Sequence, residues 1–191
     1  MTETSNPTEG MQEFLRLIVR RIVVGNLGTG NVERRFGQAA QKISQDRAWE
    51  PALEALNDLN HDIEEFRKQV HRRSMNKNLL SVLRRSVLQR TITPEPTGYL
   101  YLIKPRDSRW SLADEDRAAY WASTIGNSFL AEEARRPMGS STWDGFKMAL
   151  LPLASPGEWT EKIAAYAEWD IDAISEVGEE MAHAAAEVWY D

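Results

Sequence analysis

Residues 77–90, KNLLSVLRRSVLQR, run directly into residues 91–103, TITPEPTGYLYLI. The first stretch predicts a helix, because four apolar residues recur at helical spacing: Leu79, Leu80, Leu83 and Val87. In the second stretch, β-branched and aromatic residues flank a proline-containing turn, which predicts two strands at 91–93 and 98–103. We therefore expect a central β-hairpin at about residues 90–104.

A basic helix that is followed at once by a two-stranded hairpin is typical of a winged helix. In that architecture the helix enters the major groove of DNA and the hairpin lies along the backbone. The apolar residues would bury one side of the helix. The opposite side would then present Ser81, Arg84, Arg85 and Gln89 to phosphates or base edges.

Basic residues are concentrated around this helix. Residues 67–90 contain eight lysines and arginines and no aspartate or glutamate, and three more bases lie between 104 and 109. Such a patch favours binding of a polyanion. We predict nucleic-acid contact, with DNA ahead of RNA, through Arg67, Lys68, Arg72, Arg73, Lys77, Arg84, Arg85, Gln89, Arg90, Lys104, Arg106 and Arg109.

Charge divides the chain into unequal halves. The 191 residues have a net charge of −6. Residues 1–110 hold 18 lysines and arginines against 13 acidic residues, a net charge of +5. Residues 111–191 hold 5 against 16, a net charge of −11, and six of the seven tryptophans lie at or after residue 110. We expect a disordered tail at 1–10, a basic helical region at 11–110 and an acidic, tryptophan-rich helical region at 111–191 packed on it.

The acidic region suggests a surface for a basic protein partner, because tryptophan and tyrosine are enriched at the centres of interfaces. The predicted partner-binding residues are Trp169, Glu176, Glu180, Trp189 and Tyr190.

The rest of the chain has helical patterning, so the predicted fold class is mainly α, a single helical domain with one hairpin. A heptad seam at 49–70 predicts one long helix: Trp49, Ala52, Leu56, Leu59, Ile63, Phe66 and Val70. We expect the seam to pack within the chain, with a homodimer as the alternative. Further helices are predicted from Ser111 through Phe129 to about residues 135–137, after Thr142, after Ser155 and over residues 171–188.

Several chemistries lack their residues. The chain has no cysteine, which excludes disulfides, thiolate metal sites and a cysteine nucleophile. The glycines at 25–30 follow G-x-x-G-x-G, which is not a phosphate-binding motif. All three histidines, His61, His71 and His183, are predicted to be exposed. We therefore predict no enzymatic activity, no catalytic residue, no metal and no cofactor.

Two hypotheses remain. The first is a non-enzymatic nucleic-acid-binding or accessory protein whose acidic half docks a protein partner. The alternative is an acidic protein-interaction module, such as an inhibitor, immunity or adaptor protein, with no nucleic-acid contact. Arginines at 16, 20 and 21 interrupt the first apolar run, so we expect neither a signal peptide nor a membrane contact, and a cytoplasmic location.

Overall fold

The computed structural model of the chain describes residues 6–25, 29–104, 119–133 and 142–190. The chain divides into two compact units. One contains residues up to Phe66 together with Tyr190, and the other extends from Arg67 to Trp189. Within the described ranges the chain is mainly helical with one two-stranded antiparallel hairpin, which confirms the predicted mainly α class with one hairpin. In the same ranges no helix has both the length and the apolar character required to cross a bilayer.

The first unit begins with helix α1 (Pro7–Val24). Asn6 caps this helix by accepting a hydrogen bond from the Thr8 amide at 3.1 Å, and Pro7 occupies the first helical position. The prediction of a disordered tail through residue 10 is therefore wrong from Pro7 onward. The helix ends at Gly25, whose φ of 86° lies in the left-handed region that favours glycine.

Helix α2 (Thr29–Asp46) and the short helix α3 (Glu50–Glu54) complete the helical layer of this unit. Their apolar faces meet α1 in a small core formed by Leu17, Ala39, Ala52 and Leu56. Gly10 permits a close approach, because a Cβ at this position would lie 2.6 Å from the Trp49 ring.

The predicted long helix at 49–70 is wrong. The segment is divided into α3, a 3₁₀ turn at Asn57–Leu59 and helix α4 (Ile63–Arg72). Asn60 is extended, with φ −79° and ψ 127°, and the Asp62 side chain accepts a hydrogen bond from the Glu65 amide. Asparagine and aspartate form such local bonds and thereby compete with a continuous helix. Of the seam side chains, Ala52, Leu56, Phe66 and Val70 are buried within the chain itself.

The second unit contains most of the remaining elements. These are helix α5 (Lys77–Gln89), strands β1 (Tyr99–Leu102) and β2 (Ser128–Ala131), and helices α6 (Trp143–Ala149), α7 (Thr160–Ala165) and α8 (Ile171–Tyr190) up to Trp189. The predicted helix over residues 171–188 is confirmed as α8, on which Ile174, Gly178, Met181 and Ala185 are all buried.

The hairpin strands differ from the predicted pair. Strand β1 pairs with β2 in antiparallel register, with Tyr99 opposite Ala131 and Leu102 opposite Ser128. Residues 91–93 form bends instead of a strand. Phe129, predicted to be helical, lies in β2, and Ile125 lies in a 3₁₀ turn (Ile125–Asn127).

The turn at Ile125–Asn127 lies directly against α8. A Cβ on Gly126 would lie 2.0 Å from the Ile174 carbonyl oxygen and 2.7 Å from the Gly178 nitrogen. Only a residue without a side chain fits at Gly126, and the resulting backbone contact places β2 beside the helix.

Candidate functional site

Helix α5 carries the core of the predicted binding surface, and its two ends are well defined. The Asn76 side chain accepts a hydrogen bond from the Leu79 amide at 2.9 Å. At the other end Arg90 adopts a left-handed φ of 50°, and its amide donates to the Ser86 carbonyl. Leu80, Leu83 and Val87 are buried, as predicted, whereas Leu79 is only half-buried.

Arg84 does not face outward, which corrects the prediction for this residue. Its side chain is 0% exposed and forms an ion pair with Glu158, whose side chain is also 0% exposed. Nη1 of Arg84 lies 3.1 Å from the Met181 sulfur, and its guanidinium lies over the Trp159 ring, 5.2 Å from the centroid. Position 84 follows Leu80 by four residues and precedes Val87 by three. It therefore belongs to the buried stripe of α5.

The Glu158 carboxylate forms this ion pair with Arg84 and also binds strand β2. Its Oε1 accepts a hydrogen bond from the Leu130 amide at 2.7 Å. The sequence Ser155–Glu158 predicts a helix start, but the helix begins only at Thr160. Gly157 takes a φ of 82°, which is incompatible with the first helical turn. The carboxylate thus connects α5 to the hairpin instead of capping a helix.

Arg85 and Gln89 hold the loop that follows α5. Arg85 donates from Nε to the Thr97 carbonyl at 2.7 Å and from Nη2 to the Gly98 carbonyl at 2.8 Å. Gln89 donates to the Glu95 carbonyl at 3.0 Å and accepts from the Glu95 amide at 2.7 Å. The loop therefore lies along the side of α5 that we predicted to read bases.

A groove of about 640 Å³ lies between α5 and the chain around β1. We name it the α5 groove and define it by six of its lining residues: Lys77, Asn78, Ser81, Arg85, Tyr99 and Glu132. Two cations and one carboxylate give it a net positive charge. Lys77, Ser81 and Arg85 follow one another at intervals of four, so they form a single ridge along the helix.

Tyr99 and Glu132 were not among the predicted site residues. Tyr99 is 51% exposed, whereas its neighbour Leu100 is buried. Side chains alternate between the two faces of a strand, and the alternation of YLYL is the signal that places Tyr99 outward. Glu132 reaches the groove only because β2 pairs with β1, a long-range contact that the local sequence does not indicate.

The other predicted basic residues differ in exposure. Lys68, Arg72, Lys77 and Arg90 are exposed, while Arg67 and Arg73 are half-buried. Arg67 contacts the His183 ring on α8. Arg106 and Arg109 lie outside the described residues.

Lys104 is buried, which corrects its predicted role as a phosphate contact. It is 2% exposed, and burial lowers the pKa of its amino group. Its backbone amide and carbonyl are both bound by the Asn127 side chain at 2.9 Å. This exchange of hydrogen bonds holds the chain after β1 beside the turn before β2.

The predicted partner-binding tryptophans are also buried. Trp169 is 4% exposed and donates to Asn127 Oδ1 at 3.0 Å, and Trp189 is 0% exposed and donates to Ser86 Oγ at 3.0 Å. Their large apolar area favours the core when the indole N–H finds an acceptor. Tyr190, in the first unit, is half-buried, and burial raises the pKa of its hydroxyl to about 12.

The predicted acidic contacts remain at the surface. Glu176 and Glu180 are exposed, and both bind the Lys162 amino group. The hydrogen bond from Lys162 lowers the pKa of Glu176. Two further glutamates on α8, Glu179 and Glu187, are exposed.

The histidines differ from their predicted exposure. His183 is exposed, but His61 and His71 are half-buried. Nε2 of His71 lies 3.0 Å from Ser175 Oγ, and burial lowers the pKa of its ring. Across the described part of the chain, no three His, Asp or Glu side chains cluster as metal ligands would.

No protein-family model matches this sequence, and comparisons with curated proteins and with solved structures find no significant similarity.

Proposed function

We propose that this chain is a non-enzymatic, cytoplasmic nucleic-acid-binding or accessory protein that contacts phosphates along α4 and α5. The observation that carries the proposal is the α5 groove, where Lys77 and Arg85 stand on one helical ridge. Arg72 and Arg90 add exposed cations within a stretch that contains no acidic residue. Such a surface supplies the electrostatic part of nucleic-acid binding, which does not depend on sequence.

The proposed phosphate-contacting residues differ from those predicted from the sequence. Arg84, Lys104 and the side chain of Gln89 are engaged within the protein, so we assign phosphate contact to Lys77 and Arg72. Arg85 is bonded to the loop and contributes its charge at the groove wall. Lys68 and Arg90 flank this set as exposed bases.

A salt titration tests the proposal. The affinities for labelled duplex and single-stranded DNA should fall steeply between about 50 and 200 mM salt if several phosphates are contacted. The double variant Lys77→Gln, Arg72→Gln should reduce the slope of log affinity against log salt by about two. The matched control is Lys42→Gln, Lys147→Gln, which removes the same charge outside residues 67–90 and should leave the slope unchanged.

Two results would contradict the proposal. One is the absence of binding to either nucleic acid at low salt. The other is an equal loss of slope in the control variant, which would show that only net charge matters.

The alternative, an acidic protein-interaction module, is supported by the exposed glutamates of α8: Glu176, Glu179, Glu180 and Glu187. With Trp169 and Trp189 in the core, such an interface would depend on charge more than on aromatic contact. The alternative predicts that the chain binds neither nucleic acid at low salt, so the same titration separates the two functions.

A further inference from the structure

We propose that the α5 groove binds a single strand of nucleic acid, with one base stacked on Tyr99, and that α5 does not read a duplex. The inference rests on the proposed function and narrows its ligand class. Three observations carry it: the covered side of α5, the exposed ring of Tyr99, and the spacing of the two cations.

The outward side of α5 is covered where a recognition helix needs free side chains. Arg85 and Gln89 bind the backbone at Thr97, Gly98 and Glu95. Arg84 points into the core. A helix reads the major groove by bringing such side chains to base edges. The described loop therefore occupies the side of α5 that would enter a duplex.

Tyr99 offers what a single strand requires. Its side chain is 51% exposed in a groove that also contains Lys77 and Arg85. An aromatic ring can stack on the face of a base only when that base is unpaired and turned out of the helix, because a duplex hides both faces of its bases. Proteins that bind single strands combine such rings with a positive groove.

The spacing of the two positive charges fits a single strand. Arg85 contributes its charge while its Nε and Nη2 stay bonded to the Thr97 and Gly98 carbonyls. Lys77 and Arg85 are eight residues apart on α5, which corresponds to about 12 Å along the helix. Stacked nucleotides rise about 3.4 Å each along one strand, so the ridge spans roughly three to four of them. This length agrees with the smaller sites of single-strand-binding folds, about four nucleotides.

The remaining polar groups suit an unpaired base. Asn78 and Ser81 on α5 and the exposed carboxylate of Glu132 line the same groove. A carboxylate accepts hydrogen bonds from exocyclic amino groups, which an unpaired base presents without competition from a partner strand. The negative charge of Glu132 also repels phosphates, so it disfavours the second backbone that a duplex would place near the groove.

Fluorescence anisotropy with labelled oligonucleotides of about 12 residues tests the inference at low salt. The probes are single-stranded DNA, single-stranded RNA of the same sequence, and the matching DNA duplex. We expect at least one single strand to bind about tenfold more tightly than the duplex. The RNA and DNA arms establish which sugar the groove prefers.

The stacking step is tested with Tyr99→Leu and Tyr99→Phe. Tyr99→Leu should weaken single-strand binding about tenfold, and Tyr99→Phe should retain it, because the ring and not the hydroxyl makes the contact. Unfolding curves that coincide with those of the parent protein confirm that both variants fold. If Tyr99→Leu fails to fold, comparison of Tyr99→Phe with Tyr99→His provides the test, since a smaller ring should bind more weakly.

The outcomes separate the two proposals. Duplex binding that equals or exceeds single-strand binding overturns the inference and leaves the proposed function standing. Normal affinity in folded Tyr99→Leu also overturns it if Lys77→Gln still weakens binding. No binding to any of the three probes overturns both.

Discussion

Arg84 and Glu158 are 74 residues apart in the sequence and form an ion pair in which both side chains are fully buried. Arg84 lies on α5, and Glu158 lies just before α7 and accepts a hydrogen bond from the Leu130 amide of β2. The pair therefore connects these three elements. Two buried charges are stable only when each satisfies the other, so neither residue can change alone without cost.

We expect Arg84→Met to lower the free energy of unfolding by about 3–5 kcal/mol, because the Glu158 carboxylate then stays buried without its cation. The double variant Arg84→Met, Glu158→Gln should be more stable than Arg84→Met alone. The glutamine oxygen still accepts from the Leu130 amide while the uncompensated charge is gone. Urea unfolding measures both effects.

The control for this prediction is Arg72→Gln, which removes an exposed arginine from the same unit. It should change the free energy of unfolding by no more than about 0.5 kcal/mol. A double variant no more stable than Arg84→Met alone would contradict the coupling.

Gly126→Ala should destabilise the second unit by about 1–3 kcal/mol, because its Cβ would lie 2.0 Å from the Ile174 carbonyl oxygen. Gly37→Ala in α2 is the opposite case, since a Cβ there meets nothing within 4 Å. It should stabilise the protein by about 0.5–1 kcal/mol through the better helix propensity of alanine. Thermal unfolding of the two variants should shift in opposite directions, and an unchanged or raised midpoint in Gly126→Ala would refute the contact at Gly126.

His71 should make the protein less stable in mild acid. Burial lowers the pKa of its ring below the ordinary 6.5, with Arg72 acting in the same direction. The unfolded chain therefore binds the proton first as the pH falls. The stability that neutral His71 contributes is complete above about pH 6.5 and is lost as the pH falls through the native pKa.

His71→Gln measures this contribution. Urea unfolding between about pH 7.5 and pH 5 should show a smaller loss of stability in the variant than in the parent protein. Carboxylates titrate in both proteins, so the difference between the two curves isolates the histidine. Parallel curves would show that His71 binds its proton equally well in both states.

Gln89→Ala should release the loop beside α5 while the core stays intact. The variant loses the two bonds with the Glu95 backbone, so amide hydrogen exchange at Glu95 and its neighbours should accelerate. Exchange in α8 should not change. Gln89→Glu keeps an acceptor for the Glu95 amide and should show a smaller acceleration; an unchanged loop in Gln89→Ala would mean that Arg85 alone holds it.

Local sequence patterns predicted the helices well where the apolar residues lie on one side of the helix and pack into the core. Leu80, Leu83 and Val87 of α5 are buried as expected, and Thr142 caps α6 by accepting from the Gly145 amide at 3.1 Å. In these segments the helix depends on residues that are close in the sequence, so the local pattern is enough to predict it.

Prediction failed where a distant partner decides the outcome. The turn at residues 91–98 suggested a local hairpin, but β1 pairs with β2, whose residues lie about 30 positions later in the chain. The charge of Arg84 suggested a surface, and only Glu158 explains how that charge is buried. For the candidate site, the sequence indicated Lys77 and Arg85 but not Tyr99 or Glu132, because the groove is formed by tertiary pairing.

The burial of Trp169 and Trp189 also determines how the protein can be observed. In the sequence Trp49 is the sole tryptophan before residue 67, and the other six follow it. Replacing Trp49 with phenylalanine would therefore restrict tryptophan fluorescence to the second unit. The tryptophans of that unit, among them the two buried indoles bonded to Asn127 and Ser86, would then serve as unlabelled optical reporters of whether it is intact.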